Sequence, residues 1–235
     1  MIPDKFLYAT IDFLTIIFPL ALSFLPINPV YKKWRAIVPA LVLPGTLFLI
    51  WDAWFTSMGV WGFNPRYLVG TYLYNLPVEE ALFFVCIPSA CIFTYEVINY
   101  FFKKEIWQTY QKFISLVLCA LCVILIFTQY DKAYSALTFI GLLIALIFVQ
   151  WIWKPAFLGR FYLSYAFIVI PFLLVNGILT GTGLDEPIVW YNNDENLGIR
   201  IGTIPVEDIF YGMFLVLLNI SLFEFFQQKS VKTNS

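Results

Sequence analysis

The sequence predicts an all-α integral membrane protein with about seven transmembrane helices, arranged as two parallel three-helix repeats joined by a connector helix. Three observations predict this class. The composition is strongly apolar, several segments are long enough to span a bilayer, and the two halves of the chain carry matching motifs at a nearly constant spacing. Together they indicate one compact membrane domain.

The composition excludes several classes of protein. Of 235 residues, 61% are hydrophobic and 12% are charged, whereas an ordinary soluble domain has about 25% charged residues. A soluble fold of this length could not bury so much apolar surface, because surface grows too quickly relative to volume. The net charge of −1 gives no electrostatic attraction to nucleic acid. The chain contains no histidine, which excludes His-based triads and His–metal sites.

Seven segments have roughly the 20 mainly apolar residues that a spanning helix needs. They are Phe6–Pro26, Ala36–Ser57, Leu76–Phe101, Phe113–Gln129, Tyr134–Trp153, Phe161–Thr180 and Ile204–Phe226. Most connections are short, but Met58–Asn75 and Gly181–Thr203 are long and rich in Gly, Pro and aromatic residues, which indicates turns.

An internal repeat relates the first three helices to the last three. The stretch Asn75–Glu80 recurs as Thr203–Asp208, displaced by 128 positions. Further matches at this or nearly this displacement are Asn64 with Asn192, Gly70 with Gly198, Glu96 with Glu224, Pro44 with Pro171 and Lys33 with Arg160. A three-helix unit ends on the opposite side of the membrane from its start, so a parallel second copy requires one extra crossing. We therefore predict a first repeat over 1–112, a connector helix over 113–130 and a second repeat over 131–235, related by a pseudo-two-fold axis along the membrane normal.

The basic residues predict the orientation of the helices. One set of helix ends carries Lys32, Lys33, Arg35, Lys103, Lys104, Lys112, Lys154, Arg160, Lys229 and Lys232, and the other carries Lys5, Arg66, Lys132 and Arg200. The positive-inside rule places the first set in the cytoplasm. We expect a multi-pass protein of the cell (cytoplasmic) membrane, with its N-terminus outside and its C-terminus cytoplasmic.

The repeated acidic doublets are the main candidates for chemistry, because ionisable groups inside a membrane are costly and usually functional. Each doublet opens a helix, where carboxylates also stabilise the positive end of the helix dipole without any catalytic role. Adjacent side chains point about 100° apart, so one acid can cap the helix while the other faces the bundle interior. Two such pairs would place four carboxyl groups in one dry cavity, where repulsion and poor solvation keep at least one of them protonated. They are Glu79, Glu80, Glu207 and Asp208. A neutral acid can donate a proton, and an ionised neighbour can accept one.

Supporting or substrate-lining roles are expected for further polar and aromatic residues. Asp52 is replaced by Asn176 in the second repeat, and this pair would suit polar contacts between helices or orientation of the acids. The aromatic residues of the long loops form an interfacial belt or stabilise a carbocation through their ring faces. Supporting candidates are Asp52, Asn176, Trp61, Asn64, Asn192 and Tyr72. Glu96 and Glu224 lie roughly 24 Å further along their helices, too far to reach the same reacting atom, and a structural role is favoured.

The duplicated Pro-x-Glu-Glu and Pro-x-Glu-Asp motifs, in two three-helix units, resemble those of the heterodimeric-type carotenoid cyclases. These lycopene cyclases occur as two small subunits or as one fused chain, and the likeness covers essentially the whole sequence in the fused form. The resemblance implies a lycopene β-cyclase, an intramolecular lyase or isomerase of carotenoid biosynthesis that closes the ψ ends of lycopene to β rings by acid catalysis. The catalytic acids that it implies are Glu79, Glu80, Glu207 and Asp208.

The reaction implied by this resemblance has no net oxidation, which agrees with the lack of a nucleotide-binding motif or metal-ligand cluster; no cofactor and no metal are expected. The expected partners are lycopene or a related linear carotenoid, membrane lipid and other enzymes of the carotenoid pathway, but no nucleic acid. The resemblance is also compatible with longer C50 substrates and with ε or γ rings. The sequence does not tell whether one or both ends are cyclised, or how many subunits assemble. Two other functions fit intramembrane acids in a repeat: a small proton-coupled transporter and a non-catalytic carotenoid-binding subunit.

Overall fold

The computed structural model describes residues 3–103 and 106–233. Lys104, the side chain of Lys232 and the outermost residues of both predicted repeats lie outside this description. Within the described residues there are seven α-helices: α1 Leu7–Leu22, α2 Trp34–Met58, α3 Val78–Phe101, α4 Gln111–Thr128, α5 Ala133–Ile147, α6 Leu158–Leu179 and α7 Glu207–Thr233. A π-helical turn, Phe148–Trp153, continues α5.

All seven helices are long and apolar enough to cross a membrane in the part of the chain that the structure describes. The predicted class is confirmed: the chain is a multi-pass, all-α membrane protein with two three-helix repeats, α1–α3 and α5–α7, and α4 between them. The side of the membrane on which each end lies stays a prediction.

Several predicted helix boundaries were wrong by a few residues; for example, α6 begins at Leu158 and not at Phe161, and α7 continues beyond Phe226. Helix α1 ends at Leu22 and not at Pro26, because a residue that precedes proline is disfavoured in the helical conformation. Helices α3 and α7 begin at Val78 and Glu207. The residues just before them had been predicted as helical, but they pair as short strands with earlier parts of their own loops.

The long loops contain six short strands among the described residues: β1 Trp61–Phe63, β2 Tyr72–Leu73, β3 Leu76–Pro77, β4 Val189–Tyr191, β5 Arg200–Ile201 and β6 Ile204–Pro205. The sequence had indicated only turns in these loops. Strands β2 and β3 form an antiparallel hairpin, and β5 and β6 form its counterpart in the second repeat. The duplication therefore extends to the backbone of the loops.

Strands β1 and β4 join the two repeats in an antiparallel pair. Gly62 faces Trp190 at the centre of this pair, and the flanking residues are related by symmetry about it. Gly62 and Trp190 are 128 positions apart, which is the displacement between the two repeats, so they are equivalent residues. Because these equivalent residues face each other, the pseudo-two-fold axis passes between them. Glycine is required at the close approach, since a Cβ on Gly62 would lie 2.4 Å from the Trp190 ring.

The two repeats contact each other through α2 with α7 and through α3 with α6, which are equivalent interfaces under the pseudo-symmetry. Within the repeats, α1 packs against α3 and α5 packs against α7. The connector α4 packs mainly against α5 at the side of the bundle. This arrangement brings the N-terminal turns of α3 and α7 close to the pseudo-symmetry axis.

Candidate active site

A cavity lies next to β1 and β4, where α3 and α7 begin and α2 and α6 end. Its walls border about 490 Å³ of space, part of which is open to the surroundings. Among the described residues, every helix except α4 contributes to its wall. Polar groups on the wall are Asp52, Glu80, Asn176 and Asp208, and aromatic rings are Tyr8, Trp61, Phe63, Phe83, Tyr134, Phe172, Tyr191 and Tyr211. A large aromatic enclosure with a few converging polar groups is typical of a ligand site.

Glu80 is the acid that the first repeat presents to this cavity. The hydroxyl of Tyr8 on α1 donates a hydrogen bond to Oε2 of Glu80 at 2.5 Å. The carboxyl group of Asp52 on α2 lies near that of Glu80, and the indole N–H of Trp61 donates to Asp52. Two neighbouring carboxylates in a buried site would repel each other, which favours a proton on one of them.

Asp208 is the corresponding acid of the second repeat, and its surroundings differ. The amide of Asn176 donates to Oδ2 of Asp208 at 2.6 Å, and the hydroxyl of Tyr191 donates to the same oxygen at 3.1 Å. The hydroxyl of Tyr134 donates to Oδ1. Burial, reinforced by the Asp208 carboxyl, raises the pKa of Tyr191 well above its usual value, so this phenol stays a donor. Three donors and no facing acid suit an ionised carboxylate.

The first acid of each doublet points away from the cavity. Glu79 accepts a hydrogen bond from the backbone N–H of Val69 at 2.6 Å, and Glu207 accepts one from the N–H of Leu197 at the same distance. Ser135 also donates to Glu207, at 2.5 Å. The expectation of four carboxyl groups in one cavity was therefore wrong. Neighbouring helical residues point about 100° apart, and the first acid of each doublet holds the preceding loop instead.

Comparison with protein families identifies the chain. A family model described as lycopene cyclase matches residues 5–98 and 131–226, which together are more than half of the sequence. The chain belongs to the lycopene cyclase family. The two matched segments contain helices α1–α3 and α5–α7, and the unmatched stretch between them contains α4. A search of curated proteins and a search of solved structures each found no match. The family makes the protein a carotenoid cyclase, an enzyme whose substrate is a carotenoid.

Three of the predicted supporting residues line the cavity of the cyclase: Asp52, Trp61 and Asn176. The other three, Asn64, Asn192 and Tyr72, do not line it. The side chains of Asn64 and Asn192 each accept a hydrogen bond from a backbone N–H two residues later, where they begin equivalent 3-10 turns. Short polar side chains commonly take this role in turns. Tyr72 lies in β2 and is 46% exposed.

Two tyrosines that contact the acids of the cyclase were not among the residues predicted from the sequence. Tyr8 and Tyr134 occupy matching positions near the starts of α1 and α5, displaced by 126 residues, and each donates to the second acid of the doublet in its own repeat. A comparison of the repeats at this displacement would have paired them. Tyr211 is the counterpart of Phe83, and no sequence pattern shows that this pair faces the cavity.

Glu96 and Glu224 bind other partners. Lys33 forms an ion pair with Glu96, and the hydroxyl of Tyr95 donates to Glu224 at 2.5 Å. Neither acid lines the cavity. These contacts join the ends of α2, α3 and α7 on the side of the bundle that lies opposite the loops carrying β1 and β4.

Proposed function

We propose that the cyclase closes the ψ end group of lycopene to a β ring by adding and then removing a proton. A proton is added at C2 of the end group, which leaves a cation at C1. The C5–C6 double bond attacks C1, so that a bond forms between C1 and C6 and the charge moves to C5. Loss of the proton from C6 forms the new C5–C6 double bond. One proton enters and one leaves, so the product is an isomer of the substrate.

The observation that supports this proposal is the pair of unlike carboxyl groups on one aromatic cavity. Glu80 and Asp208 come from equivalent positions in the two repeats, yet Glu80 faces a second acid and Asp208 faces three hydrogen-bond donors. One acid in a protonated pair and one acid held as a carboxylate match the two proton transfers of a cyclisation. The assignment of these roles to the two acids is our proposal.

We assign the donated proton to the Asp52–Glu80 pair. The pair lies on α2 and α3, 2% and 7% exposed respectively, and a protonated carboxyl group in an apolar site can transfer its proton to an alkene only when water does not compete for it. Asp208 then accepts the proton from C6 or stabilises the cation that precedes its loss. Tyr134, Tyr191 and Asn176 hold Asp208 in place for this step.

The aromatic rings of the cavity suit a cationic intermediate. Trp61 contacts Tyr134 with ring centroids 5.1 Å apart, and Tyr134 stacks on Tyr191 at 5.7 Å. The ring centroid of Tyr211 lies 6.1 Å from those of both Trp61 and Tyr134. A ring face attracts a cation without removing its proton. The enclosure therefore stabilises the charge at C1 and C5 and excludes the water that would trap it.

The test is pigment analysis in a lycopene-producing host that expresses the unmodified chain or the variants Glu80→Gln and Asp208→Asn. We expect the unmodified chain to form β rings and each variant to lose at least 100-fold in rate, because removal of a general acid or base typically costs 10²–10⁴-fold. The matched control is Glu186→Gln, whose carboxylate binds Asn64 on the loop surface. Full activity of both variants would refute the proposal. Unchanged lycopene retained by the purified unmodified chain would instead indicate a carotenoid-binding protein.

A further inference from the structure

An apolar groove between α1, α3 and α6 opens from the active-site cavity. It contains about 440 Å³ of empty space. Thr15 on α1, Ala90 on α3 and Val175 on α6 lie on its three walls. Phe83, Phe172 and Asn176 line both the groove and the cavity, so the two spaces adjoin at these residues.

The groove runs along the helices, away from the acids. On α3 its wall extends from Phe83, one turn after Glu80, to Thr94. This stretch is about 16 Å long at the rise of an α-helix. On α6 the wall extends from Asn176 back to Ile168. Because α6 is antiparallel to α3, both stretches of wall lead away from the acids in the same direction. The groove is thus a narrow apolar track, and the cavity with its acids lies at one end.

The pseudo-symmetric position between α2, α5 and α7 is closed to the cavity. Aromatic rings fill the contact between α2 and α7 there. The ring centroid of Phe48 lies 5.0 Å from that of Tyr211 and 5.2 Å from that of Phe214, and the ring centroids of Trp51 and Tyr211 are 5.3 Å apart. Another groove contains Pro44 and Leu218, but among the described residues none of those on its wall also lines the cavity. Of these two grooves, the one on the α3–α6 side adjoins the cavity that holds the acids.

We propose that the groove between α1, α3 and α6 holds the conjugated chain of the carotenoid while one end group lies between Glu80 and Asp208. The inference rests on the proposed function and adds the place of the polyene. A conjugated polyene is straight, stiff and apolar, and the groove is apolar, elongated and continuous with the cavity. Because the groove leads to one cavity with Glu80 and Asp208 on its wall, the cyclase processes one end group at a time. A substrate with two ψ ends has to leave and return reversed before the second ring closes.

The consequence is that obstruction of this groove prevents binding, while obstruction of its pseudo-symmetric counterpart does not. Ala90 and Leu218 are equivalent residues, displaced by 128 positions, on α3 and α7. Ala90 lies on the wall of the first groove and Leu218 on the wall of the second. Ala90→Phe and Leu218→Phe therefore form a matched pair of variants that place the same ring in the two grooves.

The experiment measures carotenoid bound per mole of purified protein in the Glu80→Gln background, after expression in a lycopene-producing host. We expect Ala90→Phe to lower bound lycopene by at least tenfold and Leu218→Phe to stay within twofold of the parent. Undiminished lycopene in Ala90→Phe, as for a groove that holds only lipid, would overturn the inference, and so would an equal loss in both folded variants. Thr15→Phe obstructs the same groove from α1 and replaces Ala90→Phe should that variant fail to fold. Ring formation by the unmodified chain is scored separately, so failure of the proposed function is distinguishable.

Discussion

Trp190 lies over Gly62 at the centre of the β1–β4 pair, in the space that any side chain at position 62 would occupy. The residues beside this contact, Trp61 and Tyr191, line the active-site cavity. The packing of one ring on one glycine thus positions aromatic groups from both repeats around the substrate.

Gly62→Ala is therefore expected to lower cyclase activity by displacing Trp190 and, with it, β4. Overpacking of a close contact typically costs about 1–3 kcal/mol. The Gly62→Ala/Trp190→Ala double variant should recover at least half of the lost activity, because the alanine then meets no ring. Coupling in this double-mutant cycle is the measurement. Equal activity of Gly62→Ala and the unmodified chain would show that the contact is unimportant.

Tyr8→Phe and Tyr134→Phe are expected to reduce kcat by on the order of tenfold, about 1.4 kcal/mol. Each removes the hydroxyl that donates to Glu80 or Asp208 but leaves the ring in place. The acids then lose orientation, while the apolar contacts that bind the substrate persist, so KM should change little. Steady-state kinetics in detergent or in lipid vesicles separates the two constants. A change in KM with unaltered kcat would assign the tyrosines to binding.

Substitution of the first acid of a doublet should affect stability more than chemistry. Glu79→Ala leaves the N–H of Val69 without its acceptor, and loss of a typical intramolecular hydrogen bond costs about 0.5–1.5 kcal/mol. Glu79→Gln keeps an acceptor oxygen and should cost less. Thermal unfolding is compared with that of Glu80→Gln, which should unfold near the temperature of the unmodified chain but lose ring formation. If Glu79→Gln instead lost ring formation and Glu80→Gln unfolded at a lower temperature, the chemistry would belong to Glu79 and the structural role to Glu80.

Lys33→Met should destabilise the protein by about 3 kcal/mol without a specific effect on the chemistry, because it leaves the buried Glu96 carboxylate without its ion-pair partner. The Lys33→Met/Glu96→Leu double variant removes both charges and should recover most of this loss. The free energy of unfolding of the two variants is the measurement. A loss of activity in the stable double variant would show that Glu96 acts in catalysis.

The sequence alone predicted the parts of this protein that depend on long-range repetition. Seven apolar segments predicted the helices, because an apolar segment of that length crosses a bilayer as a helix. The recurring motifs Asn75–Glu80 and Thr203–Asp208 predicted the two repeats. It also named Asp52 and Asn176 as supporting candidates, since both are polar residues near the ends of equivalent helices, and both lie on the cavity wall.

Features that depend on side-chain direction were not predictable in the same way. Glu79 binds the preceding loop whereas Glu80 lies at the cavity. Which acid does which depends on how far the helix is rotated about its axis, and a pattern of residue types does not determine that rotation. The pairing of β1 with β4 joins residues 128 positions apart, and three-residue strands carry too little periodicity to be recognised. The contrast between the open α3–α6 contact and the filled α2–α7 contact depends on aromatic packing across helices.

The self-complementary pairing of β1 with β4 has a consequence for the ancestry of the chain. In a dimer of identical subunits, the residue on the rotation axis meets its own copy, so a glycine there would face a glycine and a tryptophan would face a tryptophan. Here the axial positions hold one of each, Gly62 and Trp190. After a duplication each half can vary independently, and the same freedom allows two acids, Asp52 and Glu80, on one side of the cavity and an acid held by three donors, Asp208, on the other.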